Sequence, residues 1–237
     1  MQKCKYCNLI LLLLFISVNT KSQILIGVET GLTQNHLFTN IGNRSFTNNE
    51  NKNGYHFGCY LQYNVNKWLS FATNPNFSQK KYAFKRNGIF EGVYSEFNNN
   101  YVQLPFLAKI ILGNKKIKGF ASSGIYIGYW IYGNIKGNVP NIFNVRSSAN
   151  TNGLITQNFI LSSYNEKYIF NSIQDRRIEI GTAFSCGVSY KIKKYILTTE
   201  IFYYPAFTSQ LKESIINQIP QYNHTYIFST GVLYSFK

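Results

Sequence analysis

The sequence predicts an all-β fold, an eight-stranded antiparallel up-and-down transmembrane β-barrel. Three observations carry this. Eight segments alternate residue character with a period of two, one face apolar and aromatic, the other small or polar. The connections between them alternate short and long. The 237 residues are 17% aromatic but only 14% charged, against roughly 25% charged in a typical soluble domain. A surface so poor in charge does not meet water everywhere.

The first expected strand is Ile24–Leu32, with Ile24, Ile26, Val28 and Leu32 outward and Gly27, Glu29 and Gly31 inward. The second is Tyr55–Val65: Tyr55, Phe57, Cys59, Leu61, Tyr63 and Val65 face out, His56, Gly58, Tyr60, Gln62 and Asn64 in. The third, Trp68–Tyr82, turns Leu69, Phe71 and Phe77 outward and Ser70, Ala72, Asn74, Asn76 and Ser78 inward. The fourth, Tyr101–Leu112, turns Val102, Leu104, Phe106, Ala108, Ile110 and Leu112 outward against Gln103 and Lys109. In the fifth, Gly119–Tyr132, Ile125, Ile127, Tyr129 and Ile131 oppose Gly124 and Gly128. The sixth, Ile178–Tyr190, opposes Ile180, Phe184, Cys186, Val188 and Tyr190 to Glu179, Gly181, Ser185 and Gly187. The seventh, Tyr195–Tyr204, has Leu197, Ile201 and Tyr203 outward and Glu200 inward. The eighth, Tyr226–Phe236, has Tyr226, Phe228, Val232, Tyr234 and Phe236 outward and Ser229, Gly231 and Ser235 inward.

Inward faces of Gly, Ser, Asn, Gln and scattered charge cannot build an apolar soluble core, so the larger apolar face points into lipid. Trp68, Tyr190 and Tyr234 then mark interfacial girdles. The short connections are "NVNKW", "GNKKIK" and "KIKKY"; the long ones are 33–54, 83–100, 133–177 and 205–225. Bacterial outer-membrane barrels have short periplasmic turns, long external loops and an even strand number. A soluble lipocalin-like barrel is the architectural alternative, and it requires the apolar face to point inward.

The N-terminus, "MQKCKYCNLILLLLFISVNTKSQ", has Lys3 and Lys5, an apolar run from Leu9 to Val18, and small residues before Gln23. That is the layout of a cleaved secretory signal peptide over 1–22, leaving 23–237 as the barrel domain. The run is too short for the ~20 residues of a spanning helix. Cys4 and Cys7 leave with the signal. The formal charge is +15; without Lys3, Lys5 and Lys21 it is about +12. An exported basic chain meets lipid phosphate rather than nucleic acid, so no nucleic-acid partner is expected.

The segments "GVETGLTQN", "NFSQKKYAF", "YVQLPFLAKI" and "TGVLYSF", in this order in an eight-stranded chain, resemble the PorT-like outer-membrane β-barrel family of Bacteroidetes-type bacteria. The resemblance covers nearly all of the mature chain and implies an eight-stranded barrel in the cell outer membrane. It further implies a non-enzymatic role in secretion or envelope assembly. Family barrels usually end on an aromatic; here Phe236 is penultimate, before Lys237.

Glu29, His56, Lys109, Glu179 and Glu200 all project inward. They read either as a polar lining for a substrate or ion, or as a paired network filling a barrel just wide enough for side chains. Lys80, Lys81, Lys85 and Arg86, with Arg176 and Arg177, form an outer basic group. It reads either as lipopolysaccharide contacts or as a solvated rim. A second set, Lys67, Lys115, Lys116, Lys118, Lys191, Lys193 and Lys194, marks the short turns. Cys59 and Cys186 lie on outward faces far apart around the barrel, beyond the ~7 Å between Cα atoms that a disulfide allows. Two free, lipid-facing thiols are expected.

His36, His56 and His224 raise a lipid-modifying hydrolase. There is no GxSxG, no HExxH and no metal-ligand spacing, so no catalytic, cofactor or metal residue is assigned. The expected function is a non-enzymatic outer-membrane barrel that binds a partner or serves secretion through its external loops, residues 133–177 above all. A narrow pore and a lipid-modifying enzyme are the alternatives.

Overall fold

The structure is a computed structural model that describes residues 23–39, 46–149, 155–212 and 219–236. The signal-peptide expectation lies outside the described residues. Ten strands form among the described residues: β1 (Gln23–Thr39), β2 (Thr47–Asn64), β3 (Leu69–Thr73), β4 (Asn76–Arg86), β5 (Tyr94–Gly113), β6 (Ile117–Ala149), β7 (Ile155–Lys167), β8 (Ile178–Ile192), β9 (Tyr195–Pro205) and β10 (Gln221–Phe236).

Pairing is antiparallel and closes into a ring. β1 pairs with β2 on one side and β10 on the other, the closing register running from Ile24↔Phe236 to Thr39↔Gln221. β5 pairs with β6, β6 with β8, β8 with β9 and β9 with β10. β3 and β4 together fill one place in the wall, since both bridge β2 and β5. Counted this way the ring has eight places. Closure leaves it without an edge, which lipid demands because no water is there to satisfy an open backbone.

The expected third strand is thus two. Asn74–Pro75 interrupts it because proline has no N–H to give the ladder. The break is satisfied locally: Cys59 N donates to Pro75 O at 3.0 Å, and Thr73 Oγ1 to Pro105 O at 2.7 Å.

Facing follows the alternation on every wall. Ile26, Val28, Phe57, Phe71, Phe106, Ile125, Ile127, Phe184, Ile201 and Val232 form an exposed apolar band. Trp68, Tyr190 and Tyr195 flank it at the short-turn end, and Tyr55, Tyr129 and Tyr226 at the other. The lipocalin-like arrangement would need these same residues buried. A charged side chain placed mid-band costs about 2–4 kcal/mol, so the wall commits the protein to lipid.

The expected long loops are largely strand. β1 continues to Thr39, β2 starts at Thr47, and β6 runs to Ala149 to pair with β7 from Asn134↔Lys167 to Ala149↔Ile155. β7 has no other strand partner among the described residues. Beyond the bilayer neither face must be apolar, so pairing continues while the period-two signal fades. Among the described residues of 133–177, β6 and β7 pair as antiparallel strands projecting from the wall, followed by a short inward-folded stretch.

The interior is also less uniformly polar than expected. Leu25, Tyr60, Leu107, Tyr126, Phe202, Tyr204, Ile227 and Leu233 pack as one buried cluster inside the barrel. Inward aromatics of β6 need space on the neighbouring strand β8. At Gly187 a Cβ would lie 2.6 Å from the Phe120 ring, and at Gly181 one would lie 2.7 Å from the Tyr126 ring.

Candidate functional site: a charged lumen capped at one end

Period-two facing turns six ionisable side chains into this interior: Glu29 on β1, His56 on β2, Lys80 on β4, Lys109 on β5, Glu179 on β8 and Glu200 on β9. All six are buried. Uncompensated buried charge is expensive, and each carboxylate has a cationic or ionisable partner. Lys80 pairs with Glu179. His56 Nε2 lies 2.9 Å from Glu29 Oε1. Lys109 Nζ lies 3.9 Å from Glu200 Oε2.

Neutral donors complete each pair. Glu179 accepts from Tyr126 OH at 2.7 Å and Asn223 Nδ2 at 2.6 Å, while the Lys80 ammonium sits 4.5 Å from the Tyr101 ring centroid. Glu29 also accepts from Asn74 Nδ2 at 2.6 Å. Lys109 donates to Tyr60 OH at 2.8 Å and stands 3.3 Å over the Phe120 ring; Ser185 donates to Glu200. Lys80–Glu179 and Lys109–Glu200 each join walls three places apart in the ring, so they cross the lumen as struts.

Lys80 is a correction. Its side chain is fully buried, and it does not belong with the outer basic group or reach lipopolysaccharide. The alternation that turns Asn76 and Ser78 inward turns Lys80 inward too, and Glu179 supplies the countercharge. The other five members lie at the long-loop end. Lys81 Nζ is 5.7 Å from the Tyr55 ring centroid. Arg86 donates to Thr47 Oγ1 at 2.8 Å. Lys85 Nζ lies 2.8 Å from Glu50 and Lys52 Nζ 3.3 Å, and these contacts, Lys85 foremost, hold the Glu50 carboxyl below its usual range. Arg176 N donates to Gln210 O at 2.8 Å. Arg177 donates to Trp130 O at 2.9 Å, its guanidinium 4.2 Å from the Phe170 ring centroid.

Two segments after β7 and β9 tie themselves to lumen side chains at this end. Gln210 is buried, donates to Tyr101 OH at 3.0 Å and accepts from Tyr82 OH at 3.3 Å. Tyr168 packs on the inward Trp130 with ring centroids 4.9 Å apart and donates to Asp175 at 2.7 Å. Burial and the Asp175 carboxylate push the Tyr168 phenol above its ordinary range. Residues 168–177 and 206–212 are joined by an Asp175–Leu211 bridge and by Lys212 N donating to Gln174 O at 2.8 Å. Together they cap the lumen.

A Glu–His pair was not visible in linear spacing; it forms because the β1–β2 register sets Gly31 opposite His56 and Glu29 two residues away. Ser78 lies opposite His56 on β4. These are the parts of a nucleophilic triad, yet His56 Nδ1 and Ser78 Oγ have no hydrogen-bond partner. All three side chains are buried in the barrel interior. Among the described residues no three His, Cys, Asp or Glu side chains group as a metal site. Cys59 and Cys186 are free and exposed on the outer wall.

The model of a family described as "Outer membrane protein beta-barrel domain" matches residues 17–212. No curated protein matches the sequence. Among solved structures, the outer membrane protein OprG from Pseudomonas aeruginosa aligns with a TM-score of 0.52 at 8% identity, covering 91% of this chain and 96% of that one. Neisserial surface protein A aligns at 0.44 and 10% identity, covering 92% of this chain and all of that one. Ail of Yersinia pestis aligns at 0.40 and 12%, with coverage of 92% and 100%. At such identities the likeness to OprG bears on the fold alone.

Proposed function

We propose that this chain, which belongs to the outer membrane protein beta-barrel domain family, is a non-enzymatic integral outer-membrane protein that binds a partner through its long-loop end. The observation that carries this reading is the contrast between the two halves of the molecule. The lumen is crossed by ion-paired struts and capped by residues 168–177 and 206–212, an arrangement suited to bracing rather than passage. The β6–β7 hairpin projects beyond the aromatic girdle with one β7 edge open to strand addition.

The finer assignment is a PorT-like barrel serving secretion or envelope assembly. It rests on the segments "GVETGLTQN", "YVQLPFLAKI" and "TGVLYSF". By the plan of such barrels the hairpin is external. Lys81, Lys85, Arg86, Arg176 and Arg177 are then placed to meet lipopolysaccharide phosphates by charge-assisted contacts.

The test replaces residues 139–162 with Asn-Gly, since Asn138 and Ser163 are cross-strand partners and a two-residue turn can join them. The shortened barrel is expected to fractionate with the outer membrane and to keep its mobility shift on boiling. It is expected to lose the crosslinks that the full chain forms from a photoreactive group placed at Lys136, a position both forms retain. Unchanged crosslinks, or single-channel conductance of the full chain in a planar bilayer, would sink the proposal.

A further inference from the structure

The short-turn end of the barrel differs from the capped end in charge and in shape. Its seven lysines, Lys67, Lys115, Lys116, Lys118, Lys191, Lys193 and Lys194, have no acidic residue among or between them in the three turns. All but the half-buried Lys118 are exposed, as on a solvated rim, yet strand parity sets two of them on the inward side. Lys118 continues the inward series Ser122–Phe120–Lys118 on β6, and Lys191 the inward series Ser185–Gly187–Ser189–Lys191 on β8. Lys116 joins them where Lys191 N donates to Lys116 O at 2.8 Å.

These three lysines line a cavity of about 60 Å³ that opens at the short-turn mouth, with Gln62 and Asn64 on the far wall and Lys109 at its floor. A water needs roughly 10–15 Å³ by this measure, so the space suits a group of four or five heavy atoms. Lys109 is 2% exposed. Of its three ammonium donors one goes to Tyr60 OH; the ammonium also stands 3.3 Å over the Phe120 ring and 3.9 Å from Glu200 Oε2, while Ser185 donates to the other oxygen of that carboxylate. Lys109, Lys118 and Phe120 all line this one cavity. Three mouth lysines and one buried lysine line a pocket of tetrahedral-oxyanion size whose lining holds no acidic side chain, and low-dielectric walls focus the resulting positive potential.

We propose that this mouth is a binding site for a phosphate-type oxyanion, taken up from the periplasmic side by the usual orientation of such barrels. The anion is either a soluble phosphate ester or the headgroup of an anionic phospholipid. Lys118, Lys191 and Lys116 hold it by charge-assisted hydrogen bonds, and Lys109 sets the depth of entry.

The experiment titrates inorganic phosphate into the full mature chain in phosphatidylcholine nanodiscs, followed by phosphorus NMR. Saturable binding in the millimolar range or tighter is expected. Lys118→Gln with Lys191→Gln should weaken it by about tenfold while the heat-dependent mobility shift persists. Lys67→Gln with Lys193→Gln removes the same charge from the same end outside the cavity and should leave affinity within about twofold. Equal weakening by both pairs, or no saturable binding by the wild type, overturns the site. Nanodiscs with phosphatidylglycerol separate the two sources. Competition with phosphate in the wild type but not in the cavity variant assigns a lipid headgroup, and no competition assigns a soluble ester.

Discussion

Removing the positive end of the Lys80–Glu179 strut tests whether the lumen is a packed, paired interior. Lys80→Met keeps the side chain's length and its packing among the Tyr101 and Tyr126 rings but leaves Glu179 without its cation. Breaking a buried ion pair from one side costs about 3–5 kcal/mol because the other charge stays behind uncompensated. Here Tyr126 and Asn223 still donate to Glu179, which places the expected loss near the lower end, about 3 kcal/mol. Glu179→Gln alone should cost a similar amount by stranding the Lys80 ammonium. The double variant removes both charges and should cost about 0–1 kcal/mol, since a neutral pair of like volume is often as stable as a buried ion pair. Reversible urea unfolding in lipid vesicles, followed by tryptophan fluorescence, gives the cycle. Lys81→Gln, one residue away but on the outer face, serves as the reference and should change stability by no more than ~0.5 kcal/mol. Additive single and double effects, or a Lys80→Met loss equal to that of Lys81→Gln, would refute the reasoning.

Cys59 and Cys186 should resist a membrane-impermeant maleimide in lipid vesicles and react after unfolding in denaturant, because a thiolate does not form in hydrocarbon; equal labelling in both states would place them in water. His224 lies just beyond the Tyr203–Tyr226 girdle, and burial, with His36 opposite it, depresses its imidazole below the ordinary 6.5. A depressed histidine favours protonation of the opened state, so the stability it contributes is present above pH 6.5 and is lost as pH falls below it. Amide exchange at Asn35–Thr39, corrected for intrinsic rate, should accelerate on acidification, and His224→Gln should flatten that dependence.

The wall was legible because lipid imposes a rule on each residue separately. Ile125, Ile127, Tyr129 and Ile131 must each be apolar whatever lies across the sheet, so period two survives even in the glycine-rich fifth segment. Past the girdle that rule lapses. "NIKGNVPNIFNVR" carries little alternation, yet it is strand because β7 satisfies its backbone, a fact of pairing rather than of side-chain pattern. Pro75 marks the β3–β4 break, whereas Pro105 sits within β5 without interrupting it.

Which charges meet inside the barrel is a different kind of question, decided by closure. Lys80 and Glu179 are 99 residues apart and three wall places apart, and nothing in either segment's periodicity encodes the stagger that brings them level. Facing alone was enough to move Lys80 from the outer basic group to the lumen, because it stands two residues after the inward Ser78. The same step, applied from Ser122 and Ser185, carries Lys118 and Lys191 into the mouth at the other end. A lysine in a barrel of this kind is thus first a question of parity along its strand. Where parity is inward and an acid is within reach, as for Lys80, the lysine braces the wall. Where parity is inward and no acid lines the space it meets, as for Lys118 and Lys191 at the short-turn mouth, its charge remains available to a ligand.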